Sequence, residues 1–156
     1  MSYKFNVPTL RYPTPTAGEY IAEIKTVSTK DRDGAKLVSR NGDPKLSLGL
    51  LLVSKDGNLY ETSEFITLPT LDDNGDPVQD TGVYLLRLLS EILRALGHDM
   101  TTGDAFEINS AAFVGRTAKV TIEMREHHGK LYPQVKRWEP SPRTEQAKQA
   151  DDEIKF

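Results

Sequence analysis

The stretch TGVYLLRLLSEILRALG, residues 81–97, carries the only long helical pattern in the chain. Val83, Leu86, Leu89, Leu93 and Leu96 recur at helical spacing and form one apolar stripe, the face a helix turns to a core. Asp80 or Thr81 can cap its start, and Gly97 suits the position just past its end. Arg87 and Glu91 make an i,i+4 pair on the wet side, in the less favourable order. The segments around it read as strands, so the place of this helix among them decides the fold.

Three strands precede it. In GEYIAEIKTVST, residues 18–29, Tyr20, Ala22 and Ile24 alternate with Ile21, Glu23 and Lys25. After a polar, turn-rich loop comes KLSLGLLLVS, with Leu46, Leu48, Leu50 and Leu52 on one face. KDGN predicts a tight I′ hairpin turn, because Asp-Gly accepts positive φ, and LYETSEFITL then runs back antiparallel. The tetrapeptide NGDP occurs at 41–44 and again at 74–77, which reads as repeated turn chemistry. After the helix, residues 98–115 are a connector with a short helical turn near residues 109–113.

Two strands close the pattern. In RTAKVTIEMRE, Ala118, Val120, Ile122 and Met124 point one way, and Lys119, Thr121, Glu123 and Arg125 the other. HHGK turns the chain into LYPQVKRW, where Pro133 marks an edge strand or a bulge. The order is three strands, one helix, two strands. That is the order of the five-stranded OB-fold barrel, with the helix plugging one end and the last strands closing it. An SH3-like barrel would not normally hold a four-turn helix there; an α+β sandwich is the other alternative. The expected organisation is an extended lead-in at 1–17, an OB-fold domain at 18–138, and a disordered polar tail at 139–156.

Composition narrows the function. The chain has 156 residues, 37% of them hydrophobic and 28% charged, which suits one soluble domain with a polar extension. It has no cysteine, so disulfides, thiolate metal sites and cysteine nucleophiles are excluded, and a reducing, cytoplasmic setting is expected. The N-terminal segment lacks the apolar region of a secretory signal. No apolar run approaches the roughly 18 residues of a membrane helix. Net charge is −3, but the charge is segregated. Residues 56–80 hold seven acids and no Lys or Arg, whereas residues 116–137 hold six bases against Glu123 and Glu126. A basic face on a mildly acidic protein is therefore expected, against the plainer reading of ordinary solvated strands.

Catalysis is not expected. His98, His127 and His128 are badly spaced for zinc, and adjacent histidines in a regular strand point to opposite faces. The acidic run 72–76 echoes a calcium loop, but Val83 stands where the bidentate glutamate belongs. No phosphate-binding loop, serine-nucleophile or zinc-protease motif is present, and no cofactor or metal is expected.

OB folds bind single strands on the strand 2–3 face and in the loops joining strands 1–2 and 4–5. Here the first loop offers Lys30, Arg32, Lys36 and Arg40, and the second His127, His128 and Lys130. Strict alternation puts Tyr132, Gln134, Lys136 and Trp138 on one outer face, beside Lys119 and Arg125 of the preceding strand. Aromatic rings interleaved with bases make a stacking and phosphate platform. The plain alternative is that Tyr132 and Trp138 cover a barrel end. In strand three Phe65 is the candidate, because Tyr60 shares its face with Ile66 and Leu68.

The last six residues, DDEIKF, resemble the acidic tip of bacterial single-stranded DNA-binding proteins. Asp151, Asp152 and Glu153 match the acids, Ile154 the apolar position and Phe156 the end, while Lys155 stands where that family usually has proline. The body, roughly residues 15–140, is similar to a family of phage-encoded OB-fold single-stranded DNA-binding proteins. The similarity lies in GEYIAEI, in KLSLGLLLV, and in FVGRTAKVTIEMRE followed by GKLYPQVKRW. It implies a non-catalytic protein that coats exposed strands in phage replication and recombination, in the cytoplasm of the bacterial host. It also implies recruitment of replication or recombination proteins by the tip, and leaves a homo-oligomer open. The rival expectation is an OB or SH3-like protein-interaction module without DNA contact. A third is an acidic DNA mimic, for which −3 is too small a charge.

Overall fold

The computed structural model describes residues 2–4, 12–30, 33–101 and 106–141. Five strands build one antiparallel sheet: β1 (Gly18–Ser28), β2 (Lys45–Val53), β3 (Leu59–Thr67), β4 (Thr117–His127) and β5 (Lys130–Glu139). Their order is β3-β2-β1-β4-β5. One helix, α1 (Thr81–Ala95), lies between β3 and β4 in the chain and packs against β4 and β5. A single 3₁₀ turn, Ser110–Ala112, precedes β4, and the Asn109 side chain accepts the Ala112 N–H at its start. Strand number, helix position and this short turn are as the sequence predicts.

The alternation of apolar residues places the core. Ala22 and Ile24 of β1, Leu46 to Leu52 at every second place of β2, and Ala118, Val120 and Ile122 of β4 are buried. Against this face α1 buries Leu89, Ile92, Leu93 and Leu96. Val83 does not join the stripe; it is half exposed, and Gly82 is buried in its place. The reason is steric. The rings of Pro77 and Pro69 press on Gly82, where an added Cβ would lie 2.6 Å and 3.0 Å from them. Asp80 stands at the N-cap position, yet its side chain makes no capping bond. At the other end Gly97, at φ 96°, ends the helix, and His98 N–H reaches back to the Leu93 carbonyl.

Turns refine the expectations. In the β2–β3 hairpin only Gly57 takes positive φ, so the KDGN turn is a longer loop closed by a left-handed glycine, and not a two-residue I′ turn. The I′ geometry occurs instead between β4 and β5, where His128 and Gly129 have φ of 52° and 78°. The two NGDP segments form matching turns. Gly42 N–H bonds the Ser39 carbonyl, as Gly75 N–H bonds that of Asp72, and both glycines have φ 83°. The Asp72 carboxylate accepts from the Asn74 and Asp76 amides, which explains its place in the acidic run.

Two bulges bend the sheet. One interrupts the β1–β2 register at Lys25, where β1 passes from pairing with β4 to pairing with β2 alone. The other makes Lys136 an extra residue opposite Thr121 and Ile122. Pro133 sits on an edge strand, as expected, but the bulge lies three residues beyond it.

The sheet remains open. β3 and β5 are its two edges, and among the described residues a single hydrogen bond joins them. Val135 N–H donates to Oε2 of Glu64 at 3.2 Å. Further along the edge of β3, Glu61 N–H donates to the Pro13 carbonyl, so residues 12–16 are packed onto the body and Pro15 is buried. Residues 139–141 are also part of the packed body: Glu139 ends β5, and buried Ser141 bonds Thr117 through its hydroxyl. Residues 142–156 lie outside the described residues.

Burial in this seam pushes the Glu64 carboxyl up from its ordinary 4.5 to about 7, against the opposing pull of the Val135 N–H and of Arg125. A raised pKa means that the folded state holds the proton more tightly than the unfolded chain. The contribution of Glu64 to stability is therefore greatest at low pH and falls as pH rises from 4.5 towards 7, by about 3 kcal/mol. Glu64→Gln keeps an acceptor for Val135 and removes the charge. Its melting temperature should exceed that of the parent at pH above 7 and change little across this window; an equal fall in both proteins would contradict the assignment. Gly82→Ala tests the helix start. Ala normally stabilises a helix by about 1 kcal/mol over Gly, but here it should cost about 1–3 kcal/mol in denaturant unfolding, and a gain would show that the proline contacts yield.

Candidate nucleic-acid interface

The β4–β5 hairpin extends beyond the part of β4 that pairs with β1. β1 pairs only as far as Ile122, whereas β4 continues to His127. From Arg125 to Tyr132 every residue is exposed. This arm forms because residues 122–127 and 130–135 each keep strand alternation up to a two-residue turn. The register pairs Arg125 with Tyr132, His127 with Lys130, and Glu123 with Gln134. All six lie on the face opposite Val120 and Ile122, away from the core. Tyr132, 49% exposed, is thus an aromatic ring beside a guanidinium, with Lys130 two residues before it.

Trp138 is not part of this face. The extra residue Lys136 shifts the alternation, so Trp138 pairs with Val120 and packs on the core side, while Arg137 takes the outer face opposite Thr121. The expected platform of Tyr132, Lys136 and Trp138 is therefore divided between the two faces of the sheet. His127 and His128 meet at the expected HHGK turn. Their ring centroids are 4.1 Å apart, because His128 sits in the turn and not in a strand. Even so, no cluster of three or more metal-ligating side chains exists among the described residues.

The β1–β2 loop supplies a second basic group. Lys30 and Lys36 face each other in an isolated bridge, both exposed, and Arg40 is exposed in the first NGDP turn. Among the described residues no carboxylate forms an ion pair with Lys30, Lys36, Arg40, Lys130 or Lys136. Two like charges set directly opposite destabilise a hairpin, and an anion between them removes that cost. Other cations already have partners: Lys119 meets Glu19 at 3.5 Å, Arg125 meets Glu123 at 2.8 Å, and Arg137 meets Glu139 at 3.7 Å. Such exposed pairs are worth at most about 1 kcal/mol and exchange readily for a phosphate.

Phe65 lies on the outer face of β3 and is 53% exposed, as the sequence predicts, while Tyr60 turns inward to stack edge-on against Tyr20. The Lys45 ammonium sits 5.0 Å from the Phe65 ring centroid. Sequence reasoning missed Lys45 as a partner of Phe65, although the β2–β3 register makes the two diagonal neighbours. It also missed Arg137 and Glu64, which depend on the bulge and on the approach of β5 to β3. Arg32 and the tip residues Asp151, Asp152, Glu153, Ile154 and Phe156 lie outside the described residues.

The arrangement can hold anions and flat rings: cations on two loops and one exposed ring on each of β3 and β5. No protein-family model and no curated protein sequence matches the chain. The division of the two aromatic residues predicts separable effects. Trp138→Ala should lower stability by about 2–4 kcal/mol in denaturant unfolding, as loss of a ring packed on the core does. Tyr132→Ala should stay within about 0.5 kcal/mol of the parent. Equal effects would contradict the faces assigned to them.

Proposed function

We propose that this chain is an OB-fold protein that binds single-stranded DNA, without catalysis and with little sequence preference. The carrying observation is the exposed β4–β5 arm, in which Tyr132 pairs with Arg125 and Lys130 pairs with His127 on one face. A ring flanked by cations offers a base one stacking surface and the neighbouring phosphates their counter-charges. Each stacked base adds about 1–3 kcal/mol. The strand order, with the helix before β4, supports the OB reading, whose binding loops are the two that carry free cations here. The phage setting, and recruitment of partners by residues 151–156, rest on the family resemblance.

A second reading, a protein-interaction module, is favoured by the exposed apolar side chains of Val83, Tyr84 and Leu88 on α1. The two readings part in one titration. Labelled oligo-dT should bind at low salt, more tightly than duplex, with affinity falling linearly in log salt. Lys30→Gln with Lys36→Gln should make that slope shallower by about 1.4, the value for two single-strand phosphate contacts. Absence of binding at low salt, or preference for duplex, rejects the proposal in favour of the second reading.

A further inference from the structure

Between β3, β5 and α1 lies an open groove of about 420 Å³. Phe65 and Trp138 line it, with Leu88 of α1 and the cations Lys136 and Arg137. Glu64 reaches into it from β3. One carboxyl oxygen of Glu64, Oε2, holds the Val135 N–H. The other, Oε1, has no protein partner, and no buried side-chain oxygen or nitrogen of the described residues lacks one, so Oε1 keeps access to solvent on a residue that lines the groove. The result is a site with aromatic walls, one hydrogen-bonding group fixed in place by the backbone of β5, and positive charge at its rim.

We infer that this groove takes one nucleobase of the bound strand, with the edge of the base hydrogen-bonded to Oε1 of Glu64. The inference rests on the single-strand reading above. Its chemistry follows from the groups present. A groove of this size, apolar with a few placed polar groups, suits a small flat ligand. Lys136 and Arg137 can meet the phosphates on either side of it, which argues for a nucleotide over an uncharged ring.

Glu64 then makes the recognition depend on pH. The charge of Arg125 on β4 acts on it, and Lys136 and Arg137 of β5 and Glu91 of α1 line the same groove. Its neighbour across β2 is apolar Leu48. Burial prevails over the nearby positive charge and holds the carboxyl near neutrality, at about 7. Below that pH Oε2 accepts from Val135 and Oε1 carries the proton, so Glu64 donates to a base acceptor. Above it Oε1 only accepts, and favours a base with an exocyclic amino group. Cytosine has one; thymine presents a single N–H between two carbonyls that repel a carboxylate.

The test measures the dissociation constants of oligo-dT and oligo-dC at about pH 6 and about pH 8.5, for the parent and Glu64→Gln. The ratio of the dT constant to the dC constant should rise about tenfold with pH in the parent, the size of one hydrogen bond to a charged group. It should stay flat in Glu64→Gln. Trp138 is the single tryptophan of the chain, so its fluorescence reports on this groove directly and should quench on binding. If both oligonucleotides bind but the ratio is independent of pH, or Glu64→Gln follows the parent, the groove inference is wrong and the single-strand reading stands. Unchanged Trp138 fluorescence on saturation overturns it as well. If neither oligonucleotide binds, both readings fall together.

Discussion

Two sheet edges meet in this protein, and a single carboxylate joins them. A five-stranded antiparallel sheet has two rows of unpaired backbone groups, which proteins must pair, cover or shield. Here β3 and β5 approach each other, α1 packs on β5, and residues 12–16 cover part of β3. What crosses the remaining gap is the bond from Val135 N–H to Glu64. Closing the sheet with a full ladder would have removed the groove. Holding it with one side chain leaves an aperture lined by Phe65, Trp138, Lys136 and Arg137.

The same choice explains why a charged residue stands on the core-facing side of β3. Leu48 lies directly opposite Glu64 and is fully buried, so an apolar side chain would be the ordinary solution at this position. A carboxyl there costs stability once it ionises. It persists in a place where its second oxygen faces open space and not a partner. A buried titratable group with a raised pKa beside a groove is a candidate binding position. On the surface, Lys30, Lys36 and Lys130 are exposed and have no carboxylate partner among the described residues.

Much of the fold was legible in the residues. Leu46 to Leu52, and Ala118 to Ile122, alternate so regularly that strand, face and core could be read together. The helix, its glycine stop and the turn at Asn109 were equally plain. Legibility failed where one extra residue enters a strand. Nothing in LYPQVKRW distinguishes an uninterrupted strand from one bulged at Lys136, yet that single residue moves Trp138 to the inner face and Arg137 to the outer one. It failed also at Gly82, whose burial depends on prolines five and thirteen residues earlier. Glu64 was hidden for a different reason: its role is set by a contact with a strand 71 positions away.

The central claim is that the arm, the lysine bridge and the seam groove form one strand-binding surface. Amide chemical shifts recorded during titration with a single-stranded oligonucleotide test it most directly. The account predicts that perturbations gather at Lys30, Lys36, Glu64, Phe65, at residues 125–132 and at Val135 to Trp138. It also predicts that Val83 and Tyr84 on the exposed side of α1 stay unmoved. Shifts centred on those two helix residues, with the hairpin arm silent, would contradict it.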